Sequence, residues 1–192
     1  MHGPHDHELE HAAHGHHDAH DDPAAKKSTG RIAMITAMLA TVGALFAYMG
    51  GATQANAGLY KNDAAIKKTE AANQWAYFQA KSTKQSLAEL GADLAPPEQK
   101  AAFQQKVARY DKEKNEIKPV AEKLEAESKR FDELSEAQMH AHHRWAQATT
   151  VLQVAIALAA IALLTKRKWV ERAMYGVGTA GVLVGVLAML HI

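Results

Sequence analysis

The chain contains no cysteine, which excludes disulfides, thiolate metal sites and a thiol nucleophile together. Aromatic residues are only 6% of the total, a level that suits long Ala-rich helices better than a globular core. A net charge of +1 gives no electrostatic case for nucleic acid. The most informative absence is local. Residues 32–49, 146–164 and 173–192 contain no Asp, Glu, Lys or Arg. At ~1.5 Å per residue, each is about long enough to cross a ~30 Å hydrocarbon core. The mean hydropathy of -0.28 hides them, because the charged middle of the chain offsets all three.

What is present divides accordingly. Residues 1–31 read as a disordered tail: eight of the 12 histidines lie there, with Leu9 as its one large apolar residue before Ile32. A first transmembrane helix is expected over 32–50, a helical hairpin over 51–145, and a second span over 146–164. A basic loop over 165–172 and a third span over 173–192 complete the chain. The expected fold class is an all-α integral membrane protein, three transmembrane helices with an antiparallel helical-hairpin (coiled-coil-like) domain between spans 1 and 2. Ala55-Asn56-Ala57 resembles a signal-peptide cleavage site. The long acidic region ahead of it, and an apolar block beyond the usual ~7–15 residues, favour an uncleaved anchor.

Pro96-Pro97 cannot continue a helix, so the hairpin tip is expected near 95–97. On the first arm Ala64, Lys68, Ala71, Trp75, Phe78, Ser82, Ser86, Leu90 and Leu94 keep helical spacing. The second arm alternates steps of four and three through Phe103, Val107, Tyr110, Lys114, Ile117, Ala121, Leu124, Ser128, Phe131, Ser135, Gln138, His142 and Trp145, a heptad seam. Pairing about the tip puts Leu90 near Phe103, Leu87 near Val107, Phe78 near Ile117 and Ala71 near Leu124. Pro119 is expected to kink or split the second arm.

Basic flanks set orientation. Lys26, Lys27 and Arg31 precede the first span, and Lys166, Arg167, Lys168 and Arg172 lie between the last two. With three spans both groups point to a cytoplasmic N-terminus and an extracytoplasmic hairpin. Lys166-Arg167-Lys168-Trp169 also suits anionic lipid.

The segment Asn73-Gln74-Trp75-Ala76-Tyr77-Phe78-Gln79-Ala80-Lys81-Ser82 resembles the W-A-Y-x-Q-A-K signature of a bacterial membrane family, domain of unknown function 4337. Agreeing pieces follow in order: Tyr110-Asp111-Lys112-Glu113, Leu152-Gln153-Val154-Ala155-Ile156-Ala157, and Leu163-Leu164-Thr165-Lys166-Arg167-Lys168-Trp169. The resemblance spans nearly the whole chain. It implies a bacterial inner (plasma) membrane protein and carries no established activity.

Candidate sites follow from residue type. His2, His5, His7, His11, His14, His16, His17 and His20 could hold a divalent metal, with buffering or sensing as the corresponding function. A solvated tail lacks the fixed ligands that a tight site requires. Trp75, Tyr77, Phe78, Gln79 and Lys81 read as hairpin core opposite the Pro119 break, with a cradle for an anion or headgroup as the alternative. His140, His142, His143, Arg144 and Trp145 read as headgroup-level residues, with Trp145 an interfacial anchor. No charged residue lies within a span, which leaves proton relays without candidates. Gln153 reads as interhelical hydrogen-bond glue, and Gly181 and Gly185 as a close helix contact. No catalytic constellation and no cofactor motif is legible. The leading expectation is a structural or protein-interaction module, bound to the bilayer and to an unknown partner or to copies of itself.

Overall fold

A computed structural model of the chain describes residues 23–190, with side chains from Lys26 onward. Helix α1 runs Pro23–Leu94, α2 Pro97–Thr165 and α3 Lys168–Met189. With 72 and 69 residues, α1 and α2 are rods of roughly 105 Å each. α1 passes from an apolar segment into a charged arm, and α2 from a charged arm into an apolar segment, each without a break. Residues 23–31, read above as part of the tail, already belong to α1; residues 1–22 lie outside the described residues.

The tip falls where the two prolines put it. Ala95 N–H still bonds back to Gly91 O at 3.0 Å, after which Pro96 is extended (φ -56, ψ 152) and Pro97 opens α2. Proline suits that first turn because its missing N–H has no partner there anyway. Pro119, by contrast, does not split α2, which is continuous through it. Its ring and Asn115, whose carbonyl loses the bond, are both exposed, so the defect opens toward solvent.

The two arms pack antiparallel along a seam of small residues. On α1, Gly43, Gly50, Ala57, Ala64 and Ala71 are buried at intervals of seven. Every second-arm position from Phe103 to Trp145 named above is buried or half-buried. Across the seam Ser128 Oγ donates to Ala64 O and Ser135 Oγ to Ala57 O, both at 2.9 Å, and His142 Nδ1 lies 2.8 Å from Gly50 O. Each step of seven down α2 meets a step of seven up α1, which defines the register.

That register corrects the pairing expected from the sequence. Leu87, Leu90 and Leu94 are 63%, 55% and 78% exposed, while Ala88 is buried. Lys68 and Ser86 also point outward. Phe103 packs on Gly91 instead of Leu90; a Cβ at Gly91 would meet its ring at 2.6 Å. Phe78 lies under Lys114, whose Nζ is 5.7 Å from the ring centroid. One heptad beyond Ser128–Ala64, Ala121 takes the place opposite Ala71 that Leu124 was expected to fill. Large residues sit over small ones, since two leucines cannot share a gap set by Gly and Ala.

All three helices are long and apolar enough to cross a membrane. In the apolar part α3 is antiparallel to α2 and parallel to α1. Leu39 and Phe46 of α1 lie over Gly178 and Gly185, and Leu152 of α2 over Gly181. Only Lys166 and Arg167 lie outside helices between α2 and α3, fewer than the loop expected over 165–172. Lys166 takes a left-handed φ of 51 and returns its N–H to Ala162 O at 2.9 Å, closing α2 in one residue.

Candidate functional site

The signature segment lies mid-arm on α1, where helical spacing brings Trp75, Phe78 and Lys81 round toward α2. Lys81 is the centre of the arrangement. Its side chain is 13% exposed and pairs with Glu113 of α2. Its Nζ sits 4.8 Å from the Tyr77 ring centroid and 5.8 Å from that of Tyr110. Arg109 approaches Glu113 at 3.4 Å and stacks on Tyr110 at 4.8 Å. The hydrogen bond from Lys81 holds the Glu113 carboxyl below its ordinary value, and the same bond, aided by Tyr77, raises Lys81. A cation between two ring faces with a carboxylate beside it is electrostatically complete.

Trp75 is half-buried. Its Nε1–H donates to Glu125 Oε1 at 2.9 Å, and its ring meets Phe78 edge-on at 5.6 Å. The polar partner of the Trp75 ring from α2 is therefore Glu125. Tyr77 and Gln79 stand at the surface. An open groove of ≈ 520 Å³ runs past Trp75, Gln79, Lys68, Lys129, Glu125 and Asp132. Charges of both signs alternate along it, and Asp132 is already bonded by Lys61 at 2.7 Å. Ser128 lines the groove too, but its hydroxyl is committed to Ala64 O.

Other candidates are placed as follows. Trp145 is buried between helices, its ring 5.3 Å from Phe46 and its Cβ facing Gly50. It fills the room left by that glycine, so it is not the interfacial anchor expected of it. His142 bonds Gly50 O, and the exposed His143 ring lies 5.6 Å from it. Gly181 and Gly185 receive Leu152 and Phe46 of the same chain. Gln153 is exposed on the outer side of α2. The metal candidates His2, His5, His7, His11, His14, His16, His17 and His20 lie outside the described residues. Among the described residues no group of His, Cys, Asp and Glu could hold a metal ion.

Two features escaped the sequence reading. One is the outward row Leu87, Leu90 and Leu94 beside the tip, spaced by three and four on one helix face. The other is the set of side-chain to backbone bonds from Ser128, Ser135 and His142. Their common spacing of seven, matched by Ala64, Ala57 and Gly50, was the available signal.

No curated protein and no solved structure matches the chain. Residues 28–191, which take in nearly all of α1, α2 and α3, match the family described as Domain of unknown function (DUF4337), and the chain belongs to that family.

Proposed function

We propose that the protein is a multi-pass protein of the bacterial inner membrane whose hairpin reaches into the extracytoplasmic space and acts as a structural or protein-interaction arm. The observation that carries the reading is the leucine row at the tip. The seam closes without Leu87, Leu90 and Leu94, so these residues serve no packing role in their own hairpin. Contiguous exposed apolar surface rimmed by charge, here Lys84, Glu89 and Asp93, is the usual mark of a contact surface. Continuous helices from bilayer to tip hold that surface at a fixed distance, roughly 65 Å out.

Ile32, Ala162 and Val170 belong to one buried cluster. Both basic groups, Lys26 to Arg31 and Lys166 to Arg172, therefore lie at the end of the bundle away from the hairpin. That arrangement supports a cytoplasmic N-terminus.

The test pairs topology with contact. A lone Cys at Lys112 should react with an impermeant maleimide in intact spheroplasts; labelling only after lysis would reverse the orientation. A photo-crosslinker at Leu90 should capture a stoichiometric partner, and Leu87→Glu with Leu90→Glu should abolish that capture while helicity stays unchanged. Capture that survives both substitutions would remove the tip from the reading.

A further inference from the structure

Among the described residues the threonines of the apolar segments are bonded within their own helices, and Gln153, deep in the second segment, is not. Thr36, Thr41, Thr149, Thr150 and Thr179 each donate to the carbonyl four residues back, at 2.8–3.0 Å. Gln153 has no such bond, and it is exposed on α2. It lies ~10 Å along the helix from Ala146, well inside the hydrocarbon region. An amide carries two donors and an acceptor, and hydrocarbon offers partners for none of them.

The surface around Gln153 is shaped for a close neighbour. Leu39 and Phe46 turn toward α3, and Gly43 and Gly50 toward α2. Ala37, Ala40, Ala44 and Ala47 are exposed on the other flank of α1. On α2, Ala155 and Ala159 are buried on the α3 side, whereas Ala146, Thr150, Gln153, Ala157 and Ala160 are exposed with steps of four and three. Helical geometry puts both rows on one side of the α1–α2 pair, the side opposite α3. The result is a shallow face of small residues with a single unsatisfied amide.

We propose that this face is the interface between two copies of the chain, with Gln153 of each copy bonded across it. A copy in the same membrane has the same orientation, so it brings an identical amide to the same depth. That complement follows from two-fold symmetry alone, whereas a different partner would need a polar group at that one level. The alanines let the backbones approach closely enough for the bond. The inference rests on bilayer insertion of the three helices, proposed above, and is independent of the hairpin tip.

The test uses single cysteines in the full, naturally Cys-free chain, oxidised in native membranes. Disulfide-linked dimers should peak at Thr150→Cys, Ala157→Cys and Ala160→Cys and fall at Val154→Cys and Ile161→Cys. Adding Gln153→Leu should weaken association about threefold to thirtyfold, and Gln153→Asn should retain most of it. Alkali extraction of the same membranes reports insertion separately: release of the chain would overturn the membrane reading itself. An integrated chain that gives no dimer, dimers without periodicity, adducts to another protein only, or dimers indifferent to Gln153→Leu would each overturn the pairing.

Discussion

Ser128 donates its hydroxyl to the main-chain oxygen of Ala64 at 2.9 Å, from one arm of the hairpin to the other. The acceptor belongs to a residue with no side chain beyond Cβ, which is why the donor can reach it. Ser135 repeats the bond at Ala57. Each acceptor carbonyl keeps its own helical bond, so its loss of one donor is mild. Ser128→Ala and Ser135→Ala should each cost about 0.5–1.5 kcal/mol. One heptad apart, at ~10 Å, the two losses should add. Urea titration of the detergent-solubilised protein, followed by circular dichroism, measures both. No loss in the double variant would mean that the bonds contribute nothing net to stability.

The register is testable by covalent capture. Ala71 and Ala121 are both buried and face each other by extension of the same ladder. Ala71→Cys with Ala121→Cys should form an intramolecular disulfide, since facing seam positions bring Cβ atoms to about 3.5–4.5 Å. Leu87→Cys with Val107→Cys should not, because Leu87 points to solvent. The reverse pattern on a non-reducing gel would restore the leucine-to-leucine register.

Gly185 is where α3 tolerates least. A Cβ there would overlap the Phe46 ring, and a phenyl ring cannot retreat by bending. Gly185→Ala should lower stability by about 1–3 kcal/mol through overpacking. Combining it with Phe46→Leu should recover part of the loss, read as coupling in a double-mutant cycle of detergent melts. Gly51→Ala meets nothing within 4 Å and should be neutral or better.

The ion pair at the signature segment makes the hairpin acid-sensitive. Glu113 is held below the ordinary carboxylate range, chiefly by the bond from Lys81. Its contribution is therefore present above the ordinary carboxylate range and is lost as pH falls through the lowered folded value. Lys81 is raised above 10.5, so its share persists below that value and goes only as pH climbs through the raised one. Melting temperature should fall on acidification, and Glu113→Gln should flatten that limb of the profile. An unchanged acid limb in the variant would assign the sensitivity to other carboxylates.

Much of this architecture was legible because its signals are strong: long uncharged stretches, a proline pair and a heptad alternation on α2. The second arm was readable to the residue since Ile117, Leu124 and Phe131 follow one period. The first arm was readable at Ala64, Ala71, Trp75, Phe78 and Ser82, and failed at Lys68 and from Ser86 onward. Apolar patterning selects Leu90 and Leu94 for the inside, whereas the seam admits Ala88 and Gly91 there, because Phe103 already fills the space. Size complementarity between two distant segments leaves no trace in either segment alone. Of the aromatic signature, Trp75 and Phe78 turn toward the seam while Tyr77 stands at the surface, and Glu113 as the counter-charge of Lys81 follows only from a register that pattern could not fix.

The ladder of hydroxyl and imidazole contacts has a mechanical consequence. Sliding one arm along the other by a single residue would leave Ser128, Ser135 and His142 facing side chains instead of free carbonyl edges. The next position that satisfies them is a whole heptad away, about 10 Å of travel. Between those positions the arms have no resting state, so a push delivered at the tip would be passed to the apolar end as motion of the pair together, and the hairpin would behave as a strut that transmits displacement without telescoping.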